Sequence, residues 1–252
     1  MSAHSSKLDY LLQLADNALI IGQRLGEWCG HGPVLEQDLA MTNISLDYIG
    51  RARLLYQSAG ELTDPQRNED EMAMLRNEWE YRNILLVEQP NGNFAKTVAR
   101  QFYLEAFQFP YFQALQNSLD PVLAGIAEKS IKETAYHLKW SSEWVIRLGD
   151  GTEESHQKMQ QAINDLWEYT GELFVPSVAE KEMLEINVSP NLAEIESAWN
   201  SRLNSVFHEA TLKHPQGSRL QSGGKQGRHS EYMGYILSEL QYMQRAYPGM
   251  EW

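Results

Sequence analysis

Two four-residue segments carry the residue types and spacing that could do chemistry: Asp47-Tyr48-Ile49-Gly50 and Glu133-Thr134-Ala135-Tyr136. Each stands about where an all-helical di-iron protein places a Glu-x-x-His pair. Another acid precedes each by one long helix plus a turn: Asp16, 31 residues before Asp47, and Glu105, 28 residues before Glu133. A bundle di-iron centre takes a carboxylate from each of two helices and a Glu-x-x-His pair from each of the other two. The i, i+3 spacing puts both ligands on one helix face. Carboxylates neutralise and bridge the irons, and imidazoles add neutral nitrogen ligands. Here the four acids are present and both histidines are absent. Gly50 has no side chain to coordinate anything. Tyr136 can ligate ferric iron as a phenolate, but a buried tyrosine is more often a hydrogen-bonded core residue. His137, at i+4 from Glu133, is rotated by about 100° from Tyr136. It offers one nitrogen where two are expected, and the alternative is a histidine of the outer layer or the surface.

Asp16 lies between Leu11-Leu12-Gln13-Leu14-Ala15 and Asn17-Ala18-Leu19-Ile20-Ile21, and so apolar a helix rarely buries an acid without a reason. Without metal, clustered carboxylates in a dry core must share protons or acquire cations. Lys129 precedes Glu133 by four residues and Arg51 follows Asp47 by four. Both are placed to balance charge by reaching inward along their own helices. The alternative is ordinary surface i, i+4 pairs, worth a few tenths of a kcal/mol. The residues alone leave two origins open: a bundle derived from a di-iron protein, or an unrelated helical bundle.

The elements that must position these acids are helical, and no stretch alternates convincingly as a strand. Helices are expected over Leu8 to Trp28, Leu35 to Ala59, Glu69 to Leu86, Phe94 to Leu115, Pro121 to Leu148, Glu153 to Phe174, Ala193 to Leu212 and Ser230 to Arg245. A further short one is admitted between Val175 and Pro190. Pro110 is expected to kink or end the fourth helix. Asp120 and Pro121 read as an N-cap and first-turn proline. Tyr103, Phe107, Phe109, Tyr111, Phe112 and Trp28 are expected in packing. The implied architecture is all-α: one domain over 1–252, a helical bundle core at about 8–150, and accessory helices at about 153–246.

Composition narrows the function classes. A chain of 252 residues with 42% hydrophobic and 22% charged content is an ordinary globular protein. A net charge of −13 argues against nucleic acid and against an anionic membrane surface. Cys29 is the single cysteine, which rules out an intrachain disulfide or a cysteine-rich metal cluster and fits a reducing cytoplasm. No apolar run approaches a membrane span. The N-terminal stretch from Met1 to Asp9 lacks the apolar core of a signal peptide. Gly223-Gly224-Lys225-Gln226-Gly227 has a phosphate loop's composition but not its pattern, and no strand precedes it. His229-Ser230-Glu231 opens a helix, so Ser230 or a neighbour is expected to cap it.

Longer blocks carry a resemblance. Trp28-Cys29-Gly30-His31-Gly32-Pro33, Asp38-Leu39-Ala40, Asn43-Ile44, Leu46-Asp47 and Ile49-Gly50-Arg51-Ala52-Arg53 resemble the C-subunit family of bacterial phenylacetyl-CoA epoxidases. So do Leu86 through Ala95, Ile131-Lys132-Glu133, Tyr136-His137-Leu138, Lys158 through Asn164, and the tail from Gly223-Gly224-Lys225 to Trp252. The resemblance implies a ferritin-like fold. It implies a structural subunit of a multicomponent oxygenase that epoxidises the ring of phenylacetyl-CoA in aerobic phenylacetate catabolism. No cofactor is then expected in this chain: the di-iron centre belongs to a paralogous catalytic A subunit, its partner, and NADPH supplies electrons through a reductase component. Asp16, Asp47, Gly50, Glu105, Glu133 and Tyr136 become vestigial ligand positions. Two other roles stand beside this one: a subunit with its own degenerate metal site, or a docking surface for the reductase.

Overall fold

The structure, a computed structural model, describes residues 3–250. Met1, Ser2, Glu251 and Trp252, which belong to the N-terminal stretch and the matching tail discussed above, lie outside the described residues. These contain eleven α-helices. In order they are α1 Ala3–Gly26, α2 Leu35–Gly60, α3 Glu69–Met74, α4 Leu85–Glu88, α5 Phe94–Leu115, α6 Pro121–Gly149, α7 Glu153–Trp167, α8 Val178–Glu185, α9 Leu192–Glu209, α10 Glu231–Leu240 and α11 Tyr242–Ala246. No strand occurs among the described residues. The fold is all-α and ferritin-like, with added helices toward the C-terminus. It divides into two compact units: Met1–Glu88 with Ser177–Glu182 and Gly223–Trp252, and Gln89–Pro176 with Met183–Ser222. The stretch expected to be accessory is thus shared between both.

In the first unit α1 and α2 form an antiparallel hairpin. Gly22 lies against Ile49, where an added Cβ would stand 3.0 Å from Cδ1, and Ser45 Oγ donates to the Gly22 carbonyl at 2.7 Å. The buried face of α1 carries Leu11, Ala15, Ala18, Leu19 and Leu25 at spacings of three and four or beside them. The single helix expected over Glu69 to Leu86 is instead α3, a 3₁₀ turn at Glu78–Glu80, and α4. Side chains of α1 hold the non-helical stretch between the 3₁₀ turn and α4. Asp16 Oδ2 accepts the Arg82 N–H at 2.7 Å and Asn17 Oδ1 accepts the Ile84 N–H at 2.9 Å. Backbone donors used in this way are lost to a helical ladder. The helix expected from Ser230 to Arg245 likewise divides at Gln241. Its buried amide donates to the Arg76 carbonyl and to Tyr81 Oη, both at 3.0 Å.

In the second unit α5 and α6 carry the site residues. Asn93 caps α5 by accepting from the Lys96 N–H at 3.0 Å, and Asp120 caps α6 by accepting from Val122 and Leu123. α5 runs through Pro110 without ending there. The proline costs an intrahelical bond, but Tyr111, Phe112 and Leu115 beyond it are buried and hold the last turn. α7 stops at Trp167, short of the expected Phe174. Thr170 Oγ1 donates to the Trp167 carbonyl at 2.8 Å, and a 3₁₀ turn follows at Gly171–Phe174. Gly171 packs so close to the Arg219 carbonyl that a Cβ would stand 2.2 Å from its oxygen. Tyr103 and Trp199 centre this core: Trp199 Nε1 donates to the Tyr103 carbonyl and Tyr103 Oη to the Ile163 carbonyl, both at 2.9 Å. Each buried aromatic keeps its apolar body dry and its polar tip paired.

Candidate functional site

Asp16 is fully buried in α1, and its carboxylate is saturated. Oδ1 accepts from Tyr56 Oη at 2.6 Å and from Arg76 Nη2. Oδ2 accepts from Arg76 Nη1 at 3.1 Å and from the Arg82 N–H at 2.7 Å. A carboxylate offers about four acceptor sites, and four donors fill them. Arg76 is itself fixed on all sides. Its Nε donates to the Met72 carbonyl at 2.6 Å, Nη1 to the Glu80 carbonyl at 3.0 Å and Nη2 to Tyr56 Oη at 3.1 Å, and its guanidinium lies 4.2 Å from the Tyr81 ring centroid. Burial opposes the guanidinium's charge, but Asp16 beside it more than compensates, so the group is held more firmly protonated than a free arginine. Burial, then the neighbouring Asp16 charge, pushes the Tyr56 phenol well above its ordinary value, which keeps it a donor.

The Asp47 segment lies in the same unit. Asp47 and Gly50 are half-buried, and a Cβ built on Gly50 would meet nothing within 4 Å. Arg51 is buried with its guanidinium 5.0 Å from the Tyr48 ring centroid. The cation that meets the buried acid of α1 is therefore Arg76, a residue the sequence pattern did not single out.

In the second unit Glu105 and His137 are both fully buried, with His137 Nδ1 3.2 Å from Glu105 Oε1. Gln101, one turn earlier on α5, donates its amide to the same oxygen at 2.6 Å. Glu133 is half-buried, 3.7 Å from Lys129 Nζ, and the Lys129 side chain is 58% exposed. This is a surface i, i+4 pair, not an inward-reaching counterion. Tyr136 is 50% exposed, so the phenol at the ligand position is not a core residue. The imidazole one position later takes the interior place, as the 100° rotation between i+3 and i+4 allows.

This donor set does not fit a di-iron centre. The oxygens of Asp16 are committed, Gly50 supplies none and the Tyr136 ring lies half in solvent. Among the described residues no three His, Cys, Asp or Glu side chains form a group suited to a metal ion.

A second polar centre of the first unit fastens the C-terminal segment. Glu88 is fully buried in α4. Oε1 takes Asn83 Nδ2 at 2.9 Å and His229 Nδ1 at 2.5 Å; Oε2 takes the Ser230 N–H at 2.9 Å and Oγ at 2.6 Å. His229 Nε2 lies 3.2 Å from the Tyr81 carbonyl. With an acceptor at each nitrogen the ring is best satisfied as imidazolium. Burial works against that form, but the Glu88 hydrogen bond and charge raise the His229 value above normal. Ser230 does occupy the N-cap position of α10, yet its hydroxyl serves Glu88 rather than the helix. The neighbouring Gly-rich loop is structural too. Lys225 is buried against Glu180 at 2.9 Å, and a Cβ on Gly224 would stand 2.1 Å from the Asn83 carbonyl oxygen.

The family model described as Phenylacetic acid catabolic protein matches residues 2–252. The chain belongs to the phenylacetic acid catabolic protein family. A curated relative, the C subunit of 1,2-phenylacetyl-CoA epoxidase from Escherichia coli (strain K12), is 47% identical over 243 residues, covering 96% of this chain and 98% of the relative. Among the acids and histidine that the sequence pattern named, the structure buries Asp16, Glu105 and His137 fully and leaves Asp47 and Glu133 half-buried; Arg76, Tyr56 and Glu88 were not singled out, and His229 was read only as part of a helix start. No local signal marks Arg76: Met72 and Ala73 before it are buried, but its neighbours at helical spacing also include Glu69 and Glu80, and its partner Asp16 lies 60 positions away. No helix among the described residues is long and apolar enough to cross a membrane.

Proposed function

We propose that this chain is a non-catalytic, structural subunit of an oxygenase that epoxidises the aromatic ring of phenylacetyl-CoA. Its work is to support a paralogous catalytic subunit that holds the di-iron centre and receives electrons from NADPH through a reductase. The observation that carries this reading is the saturated Asp16 carboxylate: Arg76, Tyr56 and the Arg82 N–H take the acceptor sites a metal would need. Gly50, with no ligand atom, and the half-exposed Tyr136 support it further. The 47% identity to the Escherichia coli epoxidase component supports the assembly and the substrate. This chain then contributes no group to the reacting atoms; it contributes a helical surface for the catalytic subunit to pack on. The Glu105–His137 pair favours a second reading, a degenerate metal site. The test substitutes Glu105→Gln and Glu133→Gln together and reconstitutes the complex, following NADPH-dependent epoxidation beside assembly by size-exclusion chromatography. Turnover close to wild type is expected. Loss of turnover with assembly intact would favour the degenerate site.

A further inference from the structure

The face of α2 turned away from its own hairpin is apolar and has no partner within its unit. Leu35, Leu39 and Leu46 are 71%, 54% and 62% exposed. With Thr42 and Gly50 they fall within an arc of about 80° at 100° per residue, roughly opposite the buried Ile44, Tyr48 and Leu55. The stripe is about 22 Å long, four turns at 1.5 Å per residue. It ends at Gly50, where the space above the backbone is open and a bulky side chain of another helix can seat. Single exposed leucines need no explanation; a continuous row at helical spacing does.

Charge identifies what covers it. From Leu35 to Gly50 there is no Lys, Arg or His, while Glu36, Asp38 and Asp47 lie along the same stretch. Asp38 is held ionised by the Gly32 and Gly30 N–H groups, which pull its carboxyl below the usual value. A second copy docked by a two-fold axis through the stripe would bring Asp47 of one chain toward Glu36 of the other, on the same flank of the stripe, and each chain carries −13. That arrangement is repelled. We infer that the α2 stripe is the docking face for a different subunit, one that presents a helix with bulky apolar residues flanked by Lys or Arg. This deepens the proposed function, on which it rests, by assigning the surface of assembly.

The test pairs Leu39→Arg with Leu46→Arg in the full chain and measures binding to the purified catalytic subunit by biolayer interferometry. Circular dichroism and the urea midpoint of the free variant check its fold. Both positions are exposed, so the free variant is expected to match wild type. Its affinity for the partner is expected to fall on the order of 100-fold, the loss of a hot spot. Glu36→Lys with Asp47→Lys should weaken binding and flatten its dependence on salt. Wild-type affinity in both double variants would overturn the docking face while leaving the structural-subunit reading in place. Failure of the wild-type chain to bind the catalytic subunit would overturn both. A wild-type homodimer dissociated by Leu39→Arg and Leu46→Arg would overturn the choice of a different subunit.

Discussion

Replacing Arg76 by methionine isolates the ion pair that stands in the first unit where a metal-binding carboxylate would be free. The substitution keeps most of the side-chain volume and removes the charge. Asp16 retains two of its four donors, Tyr56 Oη and the Arg82 N–H, and loses both guanidinium contacts. The Met72 and Glu80 carbonyls lose their side-chain donor, and the Tyr81 ring loses its cation. Breaking a buried pair from one side costs about 3–5 kcal/mol, because it strands a charge without its counterion. For a chain of this size that lowers Tm by about 6–20 °C. Urea unfolding followed by circular dichroism measures the cost. The double variant Asp16→Leu with Arg76→Met removes both charges and should recover most of the loss, to within about 1 kcal/mol of wild type. A single-variant cost below about 1 kcal/mol would refute the reasoning. So would a double variant whose cost equals the sum of the two single changes, since contacting partners must couple.

Other perturbations read other parts of the fold. His229 has a value raised above 6.5 by Glu88. Its contribution to stability is therefore full below that ordinary value and is lost as pH rises through the raised one. The gap in urea midpoint between wild type and His229→Gln should be wider near about pH 6 than near about pH 9; a gap that does not change with pH would contradict the charged latch. Gly224→Ala drives a methyl into the Asn83 carbonyl oxygen, 2.1 Å away. It should cost about 1–3 kcal/mol by thermal unfolding, against a near-zero change if the loop simply shifts. Gly50→His places an imidazole in open space on the exposed stripe of α2. The variant should fold normally and still take up no stoichiometric iron by elemental analysis, because Asp16 remains engaged by Arg76.

The long helices are legible in the sequence because their apolar residues recur at three and four and their ends carry plain signals. Asp120 with Pro121 and Asn93 start α6 and α5 where the pattern places them. The segment from Glu69 to Glu88 is misread because its periodicity is adequate for a helix, while its backbone donors are claimed by Asp16 and Asn17, more than sixty positions away. No local pattern records that competition. The same non-locality hides Arg76: Lys129 and Arg51 are neighbours of acids along a helix, whereas the counterion of Asp16 comes from another element 60 residues distant. The glycine at 50 and the tyrosine at 136, where a Glu-x-x-His pair would place histidine, are legible directly. The interior position of His137 needed the structure, because i+3 and i+4 both lie near one helix face.

Iron analysis bears most directly on the proposed role. The chain, purified alone and incubated anaerobically with ferrous iron, is desalted and analysed by inductively coupled plasma mass spectrometry, with the catalytic subunit treated in parallel. On the proposed role, this chain with Asp16 neutralised by Arg76 should retain only traces, while a catalytic subunit that holds the di-iron centre should retain about two irons per chain. Near-stoichiometric iron that survives desalting in this chain, with a ferric absorption appearing on admission of oxygen, would contradict it.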